Sequence, residues 1–546
     1  MFISIILNTE YMDIASRSKW YLKNLLHCKE NGWILITHEY MRTHWQQLQE
    51  EITPSLFTSW EMQPFAAEDV RDVEQYFIPD NLFETIEKQC GSRTEMLYQL
   101  SSTSNVLIEE VFQNIINEIQ FKHPNEKIDG IFHCLEAWQF LRDISQKHNI
   151  PLISYSFSAI RKPHGYRQTL YHTNVKTCLN STEESLERYN RYYAEEDKTI
   201  PVFSNRELLA MFGKERTLPL IQLINHQPHY EMGICTECFS VIPQFFMHNK
   251  TTDDDVRFEC EKLYDKSQIV VRNHSLQVDY MQLNRDTVHN DPAAWILSCR
   301  RLTAARSQIG LKILLWGRTA VIKPDTLGFS FMCEKNYTST RKVDLRALNF
   351  YLFCYLVPND LMFSGEYWQW RMTNPTETEI YKHHLDFYIE KLNLPESILT
   401  EQDEPTRFKS LMQSRGCDEE LINILLEDKH DFNIDYNTAS SRIVINGKSY
   451  WRLNKIENGV RHFHIELNES ADTIDFYPLD DVAGCARIVS VSVNGKTIDI
   501  SNLTDFRYMP KVSGHYSLPI SPTAGKTIID IAWDYQSNNE FLQAHS

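Results

Sequence analysis

The chain has 546 residues, too many for one hydrophobic core, so two to four folded units are expected. Hydrophobic residues make up 42% and charged residues 23%, ordinary proportions for a folded chain, and aromatics reach 12%, which suits either sugar-binding surfaces or a Tyr-rich core. The formal net charge of −18 argues against general nucleic-acid binding and against a polybasic membrane anchor. No apolar run reaches the roughly 18 residues that a bilayer span needs.

Residues 2–7 are too short and lack the basic start of a signal peptide, so they read as a first buried strand. A helix over 16–28 and a strand over 33–37 follow. Residues 104–120 carry apolar side chains at Val106, Leu107, Val111, Ile115, Ile116 and Ile119, the period of a helix. Then come a strand over 128–132, a helix over 136–148 and a strand over 150–155. Strands alternating with helices indicate a parallel α/β sheet. A charged stretch over 193–199 separates this half from a second of the same kind. There we expect strands over 218–224, 267–272 and 319–322, with helices over 253–264, 292–303 and 309–316. Residues 345–356 read as one apolar helix. A further helix over 377–392 is the candidate element for crossing back to the first half. Residues 396–436 read as a helical connector. From residue 437 short alternating runs separated by Asn446-Gly447, Asn494-Gly495 and Ala524-Gly525 predict an all-β sandwich. The twelve cysteines are scattered in a manner that suits reduced thiols in a cytoplasm.

Three segments carry a resemblance. They are Ile160-Arg161-Lys162-Pro163-His164-Gly165-Tyr166-Arg167-Gln168-Thr169-Leu170-Tyr171, then residues 307–321 from Ser307-Gln308 through Lys312 to Gly317-Arg318-Thr319-Ala320-Val321, then 347–375 with Tyr355-Leu356-Val357-Pro358 and Asn374-Pro375. In this order they resemble the two-Rossmann bacterial surface-polysaccharide glycosyltransferases that include retaining β-Kdo transferases. The resemblance implies a GT-B-like α/β fold, with two Rossmann-like domains at 1–195 (acceptor side) and 196–395 (nucleotide-sugar side). A connector at 396–436 and a β-sandwich domain at 437–546 complete the expected layout. It also implies transfer of a sugar, with CMP-Kdo as donor, to a glycan acceptor. The expected location is the cytoplasm, including the inner membrane face, beside other polysaccharide-assembly enzymes. The departures are specific. Lys312 stands where the family has Glu, Gln308 where it has a second Ser, and Asn273-His274-Ser275 where it favours Arg-Pro-His-Pro. Ser156 and Asn225 or His226 occupy places where carboxylates are expected. These support an alternative, a catalytically degenerate carbohydrate-binding or scaffold subunit of a synthesis complex.

Nucleotide phosphates meet parallel sheets at the strands' C-terminal ends, so the donor-binding candidates are Arg272, His274, Ser307, Gln308, Lys312, Lys323 and Asp325. Arg161, Tyr166 and Arg167 are the acceptor-binding candidates. His274, His226 and Glu231 are the candidate catalytic groups, with Asp279, His229, His133 and Glu136 as other titratable neighbours. No cofactor is required, because Arg, Lys and backbone donors can neutralise a leaving phosphate. His226-x-x-His229 with Cys235-x-x-Cys238 is the one zinc-like spacing, too tight for a comfortable loop, and no metal is assigned. The β-sandwich is open to glycan binding, partner docking or a purely structural role.

Overall fold

The computed structural model describes residues 1–7, 14–50, 52–54, 64–134, 138–161, 167–173, 182–195, 200–236, 252–272, 292–305, 307–325, 327–427, 433–479, 484–509, 514–523 and 525–536. Four sheets organise them. The first is assembled from β1 (Phe2–Ile6), β2 (Ile34–His38), β3 (Gln75–Ile78), β4 (Gly130–Cys134), β5 (Leu152–Arg161) and β6 (Arg167–Thr173). The second holds β7 (Tyr230–Cys235), β8 (Ile269–Arg272), β9 (Cys299–Ala304) and β10 (Thr319–Val321). A short strand, β11 (Leu356–Pro358), then returns to the first sheet and pairs antiparallel with β6.

The first sheet runs β11-β6-β5-β4-β1-β2-β3, and β3, β2, β1, β4 and β5 are mutually parallel. That is the doubly wound order, in which the chain reverses its direction of growth between β1 and β4. Its strands are apolar on both faces because helices cover both. Ile3, Ile5, Ile34 and Ile36 enter one core with the helices Val106–Lys122 and Gln139–His148. Phe2, Leu35 and Phe132 enter another with the helix Ile14–Asn31.

The second sheet runs β10-β9-β7-β8 and is parallel throughout. Met232 and Ile234 face the helix Asp253–Glu261, while Cys235, Leu302 and Ala304 face the helix Pro292–Ser298. Gly233 permits the second contact, since a Cβ there would stand 2.8 Å from Cys299 Sγ and 3.0 Å from the Trp295 ring.

Four sequence expectations are corrected here. Residues 218–224 do not form a strand but part of a 3₁₀ helix, Glu215–Leu223, in which Pro219 lacks the N–H that a sheet ladder would use. The helix expected over 292–303 stops at Ser298, and Cys299–Ala304 becomes the central strand β9. The helix expected over 345–356 is a short α-helix, Leu345–Phe350, continued by a π-helical turn, Tyr351–Tyr355, before β11. The element that crosses back is therefore β11 with the helix Gly365–Arg371, whose Trp368 packs edge-on to Phe132 at 5.1 Å in the first unit's core. The helix Glu377–Lys391 instead buries Ile380, Tyr381, Leu385 and Tyr388 in the second unit's core.

Beyond the helices Glu404–Ser414 and Glu419–Leu426 the chain becomes all β. β12 (Ser440–Ile445), β13 (Lys448–Leu453), β16 (Ile474–Tyr477) and β20 (Tyr516–Ser517) form one antiparallel sheet. β14 (Lys455–Glu457), β15 (Val460–Leu467), β17 (Gly484–Val493), β18 (Lys496–Thr497), β19 (Arg507–Met509) and β21 (Thr527–Gln536) form the other. Ile443, Phe476, Phe463, Ile531 and Trp533 meet in a core that both sheets share. Asn446 and Gly447, with φ of 49° and 83°, make the two-residue turn between β12 and β13 that this pair of residue types favours. Arg452, 2% exposed, anchors the region by ion pairs to Asp418 and, at 2.8 Å, to Glu420. No helix among the described residues is long and apolar enough to cross a membrane.

Candidate active site

Strand order locates the crevice. β7 adjoins β8 on one side and β9 on the other, and the connecting helices lie on opposite faces, so strand order puts the expected ligand cleft beyond the C-terminal ends of β7 and β9. Thr236 continues from β7, and its N–H donates to the carbonyl of Arg272 at the end of β8, 2.9 Å away. Ser307 and Gln308 follow β9 and lead into the helix Ile309–Leu315. Ser307 Oγ accepts from the Ile309 N–H at 3.3 Å. Among the described residues Gln308 Oε1 is buried with no hydrogen-bond partner, an acceptor that would gain from a donor.

The first sheet reaches the same place. The end of β5 packs against the helix Ile309–Leu315, and Ile160 is buried in the second unit's core. Arg161 ends β5 and is the register partner of Arg167, which opens β6. Two of the three resembling segments, far apart in sequence, therefore meet where β5 touches this helix. Tyr166 and His274 lie outside the described residues, as do Glu136, Asp279 and Cys238.

The other candidates fall elsewhere. Lys312 is half-buried one turn into the helix. Lys323 and Asp325 follow β10 but are engaged with protein: Lys323 pairs with Glu259 and lies 4.6 Å from the Tyr337 ring centroid, and Asp325 pairs with Lys335. Lys335 also donates to the carbonyls of Ile322 at 2.9 Å and Lys323 at 3.1 Å, so this loop is pinned to itself.

Two catalytic candidates lie at the other end of the second sheet. Glu231 is at the start of β7, the end of the sheet opposite the cleft. Its carboxylate accepts from Arg300 Nε at 3.1 Å and Arg301 Nη1 at 2.8 Å. Burial alone would raise its pKa, but the hydrogen bonds from Arg301 and Arg300 prevail and hold it below the usual carboxylate range, which makes it a poor base. His226 also precedes β7; its Nδ1 is 3.1 Å from the Tyr436 hydroxyl, at the junction with the β region. His229 stands edge-on to the same ring at 4.9 Å, and burial lowers its pKa. Because β7 is six residues long, about 3.3 Å each, His226 and His229 cannot share an ion with Cys235 at its far end. In the first sheet, His133 Nε2 lies 2.5 Å from Ser154 Oγ on the neighbouring strand.

The residue that sequence reasoning missed is Arg318. Its guanidinium donates to the carbonyls of Ile224 at 2.7 Å, Leu297 at 3.0 Å, Leu223 at 3.2 Å and His226 at 3.3 Å. It locks the base of the sheet and so fixes the strands whose other ends form the cleft. Its place in a Gly-Arg-Thr segment gave no sign of this.

No protein-family model and no curated protein matches the chain. Among solved structures, a Thermosulfurimonas dismutans KpsC β-Kdo 2,4-transferase aligns at 11% identity over 40% of this chain and 78% of its own, with a TM-score of 0.27. A β-Kdo 2,7-transferase KpsC from the same organism aligns at 12% over 43% and 79%, with a TM-score of 0.24. A Methanocaldococcus jannaschii UDP-GlcNAc 2-epimerase aligns at 11% over 61% and 86%, with a TM-score of 0.23.

Proposed function

We propose that this chain is a glycosyltransferase that moves a sugar from a nucleotide donor to a growing surface glycan, with CMP-Kdo the donor suggested by the sequence resemblance. The observation that supports it best is the meeting of the end of β5 with the helix that follows β9. In this reading the end of β5 at Arg161 and the start of β6 at Arg167 border a cleft whose other side is formed by Arg272, Ser307 and Gln308. In this reading residues 1–195 supply the acceptor side and 196–395 the donor side. Arg272 offers a bidentate fork to a phosphate, and Gln308 Oε1 accepts from a ribose hydroxyl or base amino group. Neutralisation of the departing phosphate falls to Arg272 and backbone donors, with no cofactor. His274, two residues beyond β8, is the remaining candidate for proton transfer.

A second reading is favoured by Lys312 in place of the family's Glu and by the removal of Glu231 and His226 from the cleft. It is a carbohydrate-binding or scaffold subunit that has lost transfer. Thermal-shift measurements with CMP, UDP, GDP and dTDP separate the two. A nucleotide at about 100 times its Kd stabilises the fold by about 2.7 kcal/mol. A shift with one nucleotide supports the transferase; no shift with any, in folded protein, favours the scaffold.

A further inference from the structure

Three stretches of chain tie the first sheet to the second unit, and all three pass one buried polar network. The helix Thr182–Glu195 follows β6 and lays Tyr192 in the second unit's core. The π-helical turn Tyr351–Tyr355 leads straight into β11, the edge strand of the first sheet. The helix Gly365–Arg371 sits in the first unit's core through Tyr367 and Trp368. It returns to the helix Glu377–Lys391 through residues 372–376, where Asn374 takes a φ of 58° ahead of Pro375. Where these stretches meet, Arg188 from the first donates to the Cys354 carbonyl in the second at 3.3 Å and pairs with Glu377 in the third at 2.8 Å. Tyr367 and His384 face each other across the boundary between the units, hydroxyl to Nε2 at 2.8 Å, and Arg371 Nη1 donates to the same hydroxyl at 3.1 Å. His384 is fully buried. Burial above all, then Arg371, His383 and Arg188, hold its pKa well below the usual imidazole range, so the ring is neutral. A neutral ring accepts the Tyr367 proton at Nε2 while the Tyr367 oxygen accepts from Arg371. Trp370 stacks on His383 at 4.5 Å alongside.

We propose that the Tyr367–His384 bond is a latch that sets the angle of the first sheet to the second unit, with the π-helical turn and Asn374 as the two points that flex when it opens. Each unit has its own core, and apolar contact is non-directional, whereas a hydrogen bond fixes an orientation. Hinges sit where a few element-terminal residues absorb a change in φ and ψ. Both crossings meet that description. The π-helical turn, wound more widely than the α-helix before it, ends at β11, and Asn374 is held in the left-handed region between two helices. Burying the network costs desolvation that apolar side chains avoid, and what it supplies is a defined orientation. The latch governs how the two units are posed and holds whether or not the chain transfers sugar.

Hydrogen exchange and small-angle scattering of the full chain test this. In Tyr367→Phe the amides of 352–357 and 372–377 exchange about tenfold faster, the effect of one lost hydrogen bond, while those of β1, β4, β7 and β9 keep the parent's rates. The distance distribution from scattering broadens. His384→Leu breaks the same bond from the second unit's side and gives the same pattern. Tyr21→Phe removes a buried 2.6 Å bond to Gln75 inside the first unit alone and leaves the crossings and the scattering unchanged. Parental exchange rates at the crossings in both latch variants overturn the proposal. Acceleration spread evenly over both units, an ordinary loss of stability, also overturns it. So does local acceleration without a change in scattering, which makes the pair a fastening for one helix.

Discussion

Arg188 and Glu377, 189 positions apart, form an ion pair in the interior, with Nη2 to Oε2 at 2.8 Å and Nε to the two carboxylate oxygens at 3.1 and 3.2 Å. Arg188 comes from the helix Thr182–Glu195, and Glu377 opens the helix Glu377–Lys391. Arg188 also donates to the carbonyl of Cys354 at 3.3 Å, inside the π-helical turn that leads to β11. The pair thus fixes the point where the chain leaves the second unit for the first sheet. Removing one partner strands the other charge, so Glu377→Ala is expected to cost about 3–5 kcal/mol. A melting temperature within a degree of the parent's would refute this.

The same pair sets an acid limit. Burial would raise the Glu377 pKa, but the Arg188 charge, with hydrogen bonds from Arg188, Arg191 and Cys354, lowers it to about 2. A carboxyl depressed on folding stabilises the native state above its unfolded pKa, near 4.5, and that contribution disappears as pH falls towards 2. Melting temperatures measured from pH 6 downward should fall less steeply in Glu377→Gln than in the parent, because the variant has already lost the contribution. Parallel curves would remove Glu377 from the acid response.

His123 and Glu74 give a window with two edges. His123 Nε2 lies 2.8 Å from Glu74 Oε2, chiefly through which the His123 pKa is raised. For Glu74, burial acts upward but the hydrogen bonds from Tyr76 and His123 lower the pKa. The His123 contribution is fully present below its unfolded pKa of about 6.5 and fades as pH rises through the folded value. The Glu74 contribution is present above about 4.5 and fades as pH falls through its folded value. A His123→Gln variant should therefore differ most from the parent in mildly acidic buffer and converge with it at alkaline pH. A difference that grew with pH would reverse the assignment.

Much of the architecture was legible because strands such as Phe2–Ile6 and helices such as Val106–Lys122 declare themselves by apolar runs and period. Two failures have a common cause. Leu218–Ile224 has a strand's composition, but the packing around Pro219 makes it a 3₁₀ turn. Cys299–Ala304 is buried at every position but Arg300, and it follows the buried helix Pro292–Ser298 without a turn residue to mark the change. Short apolar runs take the conformation that tertiary contacts impose. For the site, the order of the resembling segments was readable, and two of them do meet. That residues 218–224 are not a strand was not, so Glu231 and His226, which follow that segment, lie at or before the start of β7 and not beyond a strand's C-terminal end.

Arg318 holds four carbonyls that no lysine could reach together, since Lys is a point donor and Arg a planar fork. Arg318→Lys should leave some of them buried and unpaired, at about 1–3 kcal/mol each, and lower the melting temperature by several degrees. Unchanged melting would show that water replaces the guanidinium.

The cleft and the base of the second sheet make opposite predictions. Arg272→Ala removes the fork at the expected cleft and should abolish whatever nucleotide-induced thermal shift the parent shows. Glu231→Gln, at the far end, loosens the contacts to Arg300 and Arg301 and should lower the melting temperature while the nucleotide shift survives. Measuring both quantities on both variants separates the roles, since a merely unfolded population would lower both together. If Glu231→Gln lost the shift at unchanged stability, the nucleotide would have to bind at the base of the sheet, and Arg272 would have no part in holding it.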